Sequence, residues 1–117
     1  MLGISNETFE RDVVEHSCRQ PVVVEFWRMG CNPCAHLQAT LEVCERLYGS
    51  RISIVQIDVS EAANRSLVNR FRILGVPQML VFVGGECMPE RLVGSRDESQ
   101  VRRFIDAAIT ADVSRRG

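Results

Sequence analysis

The chain contains no lysine: all 14 of its basic residues are arginines. That excludes Schiff-base chemistry and any step needing an amine that can lose its proton, because a guanidinium stays charged. Aromatic residues are sparse, at 6%, and no apolar run approaches the roughly 18 residues a helix needs to span a bilayer. The opening segment MLGISNETFERD meets Asn6, Glu7, Glu10 and Asp12 before any long apolar stretch, so it does not read as a signal peptide. No internal repeat, low-complexity tract or Pro/Gly-rich linker divides the sequence. The net charge of −1 gives no electrostatic case for nucleic acid or an acidic membrane surface. There are two histidines, isolated at His16 and His36, and no second closely spaced cysteine pair, so the ligand set of a structural zinc site is not met. No metal is expected.

What remains is one domain of ordinary size, 117 residues long, with 45% hydrophobic and 25% charged residues. Five cysteines, an odd number, fit a reducing cytoplasm better than a secreted disulfide framework.

Ser5 or Asn6 can cap a first helix running to about His16, with Phe9, Val13 and Val14 inward. QPVVVEFW reads as a buried strand. A helix follows to about Tyr48, with Leu37, Leu41, Cys44 and Tyr48 on one face and Gly49 as its stop. RISIVQIDVS is a second strand and residues 61 to 71 a helix. QMLVFVGGECMPERLVG reads as two strands joined at Gly84-Gly85, with Pro89 marking an edge or a bulge. Asp97 caps a last helix presenting Val101, Phe104, Ile105, Ala108 and Ile109 inward. The domain is expected over 1–111, and the tail 112–117 is expected to be disordered. This order predicts an α/β fold, a central mixed β-sheet flanked by helices on both faces.

The chemistry concentrates in FWRMGCNPCAHLQ, where Cys31 and Cys34 stand two residues apart at a strand-to-helix junction. A permanent staple is poorly served by so small a loop, which removes little unfolded-state entropy. Redox cycling has a mechanism. Pro33 suits the first helical turn, placing Cys31 at the helix N-terminus, where unpaired N–H groups and the dipole stabilise a thiolate. Cys34, one turn inside, can resolve the mixed disulfide that Cys31 forms, with no cofactor.

The pieces VVVEFWRMGCNPC, IVQIDVS, ILGVPQMLVF, GGE and LVGS occur in an order that resembles the thioredoxin family over nearly the whole chain. That resemblance implies a thioredoxin fold and reduction of protein disulfides. It also implies that Pro77 is a cis-proline facing the active-site disulfide, exposing the Val76 backbone to an extended substrate. Trp27, Gly30, Val76, Pro77 and Gly94 would form an apolar patch around Cys31; the plainer reading of Trp27 is core packing. Electrons would come from a flavin-dependent thioredoxin reductase, and the protein would act as a monomer.

The sequence departs from the family pattern at several positions. Glu25 stands where the family usually has a buried aspartate. Within VVVEFW it is expected to be desolvated, with a raised pKa suited to general base work on Cys34; alternatively its extra methylene lets it reach solvent. Gln56 replaces a lysine that would depress that pKa. Asn32 replaces glycine between the cysteines and, with Pro33, tunes the redox couple. Ala39 replaces a helix-kinking proline. Arg28 can favour the Cys31 thiolate or simply be solvated. Cys44 reads as a small core residue; Cys18 and Cys87 are either incidental or regulatory. Two other functions stay open: an extracytoplasmic disulfide oxidant or isomerase, and a binding module without turnover. Retention of both cysteines favours an enzyme over the latter.

Overall fold

The valine run of residues 22–24 forms the centre of the molecule. A computed structural model describes residues 1–117. Strand β2 (Val22–Trp27) lies between β3 (Ser53–Asp58), which is parallel to it, and β4 (Gln78–Val83), which is antiparallel. A strand flanked on both sides and covered on both faces has no wet face, which is why residues 22 to 26 are all buried with little alternation in their chemistry. The sheet runs β1-β3-β2-β4-β5, where β1 is Leu2–Gly3 and β5 is Glu86–Cys87. A further pair, β6 (Leu92–Val93), joins β4 beside Gln78 and Met79. The second half of the expected hairpin is thus broken into β5 and β6, with the Pro89 region between them unable to keep the ladder.

Two apolar cores pack against opposite faces of this sheet. On one side α1 (Asn32–Tyr48) and α3 (Glu98–Arg116) bring Leu37, Leu41, Cys44, Val101, Phe104 and Ile105 onto Val23, Ile54, Met79 and Val81. On the other, Phe9 and Val13 from the N-terminal segment and Leu67 from α2 (Arg65–Phe71) meet Val22, Val24, Phe26, Leu80 and Phe82. Helices therefore cover both faces, and Cys44 is a core residue. Tyr48 ties α1 to α3, its hydroxyl donating to Asp106 Oδ1 at 2.6 Å.

Three local expectations are corrected. The sheet begins before the first expected helix, because Leu2 and Gly3 pair with Val55 and Gln56 to form β1. The N-terminal helix is not a regular α-helix: a wide turn, Glu10–Glu15, tightens into a 3-10 turn, His16–Cys18. The residues read as a disordered tail, 112–117, continue α3 through Arg116. Their order has a cause. Asp112 is buried, accepting from Arg115 Nε at 3.0 Å and from Arg116 Nε at 3.0 Å. The same two guanidinium groups donate to the Cys18 carbonyl, at 2.6 and 3.0 Å, and Arg116 also reaches the Arg19 carbonyl. Arg115 lies over Gly84, where a Cβ would come within 2.6 Å of its Cδ. We expect Asp112→Ala to cost roughly 1 kcal/mol of stability, read as a lower urea midpoint with an unchanged denaturant slope.

No helix is long and apolar enough to cross a membrane.

Candidate active site

Strand β2 ends at Trp27, and the chain turns through Arg28, Met29 and Gly30 before α1 begins. Gly30 has φ +75°, with nothing near the place a Cβ would occupy, so glycine is required there for its backbone and not for space. Cys31 is the N-cap of α1, in extended conformation, with Asn32 and Pro33 opening the helix. Its sulfur accepts the Cys34 backbone N–H at 3.2 Å, the position a capping oxygen would take. Cys31 and Cys34 are joined as a disulfide with Cα atoms 5.2 Å apart. They differ in access: Cys31 is half-buried at the helix mouth, whereas Cys34 is only 3% exposed. Asn32 and Pro33 between them are exposed. Helix α1 continues unbroken past Ala39.

The Val76–Pro77 peptide is cis, and the Pro77 carbonyl accepts the Gly94 N–H at 2.8 Å. Those three residues form one edge. Val76 also lines a groove of about 450 Å³ with Arg28, Val59, Val68, Ile73 and Leu74. Trp27 belongs to a different cleft, of about 380 Å³, with Ser5, Thr8, Gln56 and Asp58. Of the five residues read as one apolar patch, Trp27 lines one cleft, Val76 the other, Pro77 and Gly94 share the edge, and Gly30 lies in the turn before Cys31. Leu74, 94% exposed, and Met29, 80% exposed, are prominent on this end of the molecule. An exposed leucine in a loop has no periodic signature, so Leu74 carries no mark in the sequence.

Glu25 is fully buried in β2, its Cα registered between Gln56 of β3 and Met79 of β4. Side chains alternate along a strand, so Glu25 shares the face of Val23, beneath α1. Gln56 Nε2 donates to Glu25 Oε1 at 2.8 Å, and Oε2 has no partner. Burial disfavours the charged carboxylate and pushes it up to about 7; the Gln56 bond opposes this but does not prevail. The sequence marked Gln56 only as a missing cation. It is also the donor that fixes one carboxyl oxygen.

A dithiol at the head of a helix, one sulfur open and the other covered, is built for exchange with an outside disulfide. That geometry on a mixed sheet with a cis-proline edge defines a class of redox scaffold. The family model described as Thioredoxin matches residues 1–107. Thioredoxin C-2 of Corynebacterium nephridii is 29% identical over 93% of this chain and 96% of its own length. Thioredoxin of Mycolicibacterium smegmatis is 28% identical over 92% and 94%, and that of Acidithiobacillus ferridurans 29% over 93% and 96%. The chain belongs to the thioredoxin family. Its activity is thiol–disulfide exchange, reducing the disulfides of protein substrates.

Proposed function

We propose that Cys31 is the attacking sulfur, Cys34 the resolving one and Glu25 the group that manages the proton of Cys34. The observation carrying this is the asymmetry of the pair: Cys31 is accessible and caps α1, while Cys34 is buried on the inward side of α1 with Leu37 and Leu41, which pack on the Val23 face of the sheet. In the reduced protein the Cys31 thiolate attacks a substrate disulfide, forming a mixed disulfide and releasing one substrate thiolate. Cys34 gives its proton to Glu25, and its thiolate attacks the Cys31 sulfur; the Cys31–substrate bond breaks and the second substrate sulfur leaves as a thiolate, which takes up a proton from solvent. Two electrons pass to substrate and the protein is left oxidised. Val76, Pro77 and Gly94 would position the substrate backbone, Trp27 and Gly30 would border the dithiol, and Asn32 and Pro33 would tune the couple.

We place the protein in the cytoplasm, recharged by a flavin-dependent reductase and working as a monomer. Three free cysteines, Cys18, Cys44 and Cys87, support a reducing compartment. The sheet edges are two-residue strands, β1 on one side and β5 and β6 on the other, which offer little backbone for pairing with another copy. Mixing Cys34→Ser with insulin should yield a covalent adduct through Cys31, seen by mass spectrometry and released by dithiothreitol. An adduct through Cys18 or Cys87, or none, would remove the assignment of roles.

A further inference from the structure

Three arginines border the edge formed by Val76, Pro77 and Gly94. Arg28 lines the groove that Leu74 and Val76 share. Arg91 Nη1 donates to the Phe71 carbonyl at 2.8 Å and lies 3.4 Å from Oε1 of Gln78, the residue after Pro77. Arg96 Nη1 stands 3.8 Å from the place a Cβ on Gly94 would occupy. None of the three is among the guanidinium groups that approach a carboxylate within 4.0 Å.

The carboxylates nearest in sequence cap a helix, pair with other groups or line other clefts. Asp97 accepts the Gln100 N–H at 2.9 Å as the cap of α3, and Glu98 pairs with Arg102 at 3.6 Å. Asp58 accepts from the Ser60 N–H and hydroxyl, and with Glu61 it lies in the Trp27 cleft. Glu90 lines another groove, with Gln100 and Arg103. Around the Val76, Pro77 and Gly94 edge three guanidinium groups therefore stand without an ion-pair partner, on a chain whose net charge is −1. This face is also apolar, with Leu74, Met29 and Val93 all at least half exposed.

We propose that this face selects acidic substrates: disulfide-bonded protein segments with Asp or Glu close to the attacked cysteine. An apolar side chain of the segment would occupy the Leu74 groove, and its carboxylates would face Arg28, Arg91 and Arg96. This presupposes disulfide reduction at Cys31. Rim charges of this kind act mainly on association rate and fade with salt.

The test uses three disulfide-linked peptides of one sequence, carrying Asp, Ser or Arg beside the cysteine. The second-order rate constant for reduction of each by the reduced protein is divided by its rate with dithiothreitol. That ratio removes the effect of flanking charge on the disulfide itself. The expected order is Asp, Ser, Arg at low ionic strength, converging in high salt. Arg28→Gln, and the Arg91→Gln, Arg96→Gln pair, should each lower the Asp-to-Ser ratio about two- to fivefold; lysine at the same positions should restore it. Equal rates for the three peptides in the parent protein at low salt would overturn the proposal. So would a loss in Arg28→Gln shared equally by all three, which would assign that guanidinium to the Cys31 sulfur. Failure to reduce even the Ser peptide would bring down the reductase roles themselves, and the substrate preference with them.

Discussion

Replacing Cys31 with serine should bring disulfide reduction down to the uncatalysed background, a loss on the order of a thousandfold or more. The hydroxyl proton is held too tightly for an anion to form at neutral pH, and oxygen cannot take part in the disulfide relay. The fold should survive. Serine is a strongly preferred N-cap, and its oxygen can accept the Cys34 N–H that the sulfur accepts now at 3.2 Å. Activity is read as dithiothreitol-dependent insulin reduction, and urea unfolding of the reduced proteins serves as control. Substantial turnover in the well-folded variant would show that another thiol carries the attack.

At pH 9 the oxidised Glu25→Gln protein should be more stable than its parent by roughly 3 kcal/mol, and near pH 4 the two should match. Burial raises this carboxyl from 4.5 to about 7. Between those values the folded state keeps a proton that the unfolded state has released, so stability falls as pH rises. The contribution is fully present below about 4.5 and is lost as pH passes through about 7. The amide is neutral throughout and can keep a partner in Gln56. The parent-minus-variant difference isolates this group from the other titrating residues. A difference that stayed flat from pH 4 to 9 would mean the carboxylate ionises as if in water. The same substitution should slow substrate reduction at neutral pH if Glu25 accepts the Cys34 proton as proposed. An unaltered rate would send that proton elsewhere. A destabilising charge kept under the active site is what an acid–base role asks of a residue.

The central strands were legible because burial on both faces leaves an unmistakable mark: Val22 to Phe26 and Gln78 to Val83 admit little else. The helix after Cys31 was legible from its spacing, and its cap from Cys31, Asn32 and Pro33. The edges were not. Two residues, Leu2 and Gly3, are too few for any period to show, and they become a strand only because β3 offers a free side. The tail was misread because DVSRRG has no apolar stripe. Its order comes from charge, and the spacing of Asp112 from Arg115 and Arg116 was the available signal. The site was legible as chemistry at Cys31 and Cys34, but its two clefts were not. Nothing in the spacing of Trp27 and Val76 separates them; the positions of Gln56 and Leu74, distant in sequence, do.

The chain has a single tryptophan, and it lies where the cleft containing Gln56 meets the end of β2. Gln56, which lines the same cleft, donates to Glu25, and the helix that begins beyond Trp27 carries the disulfide. Along the chain this indole stands between Glu25 and Cys31, a native chromophore on the strand that carries the carboxyl and leads to the redox centre. Its emission can follow both in real time, with no label attached.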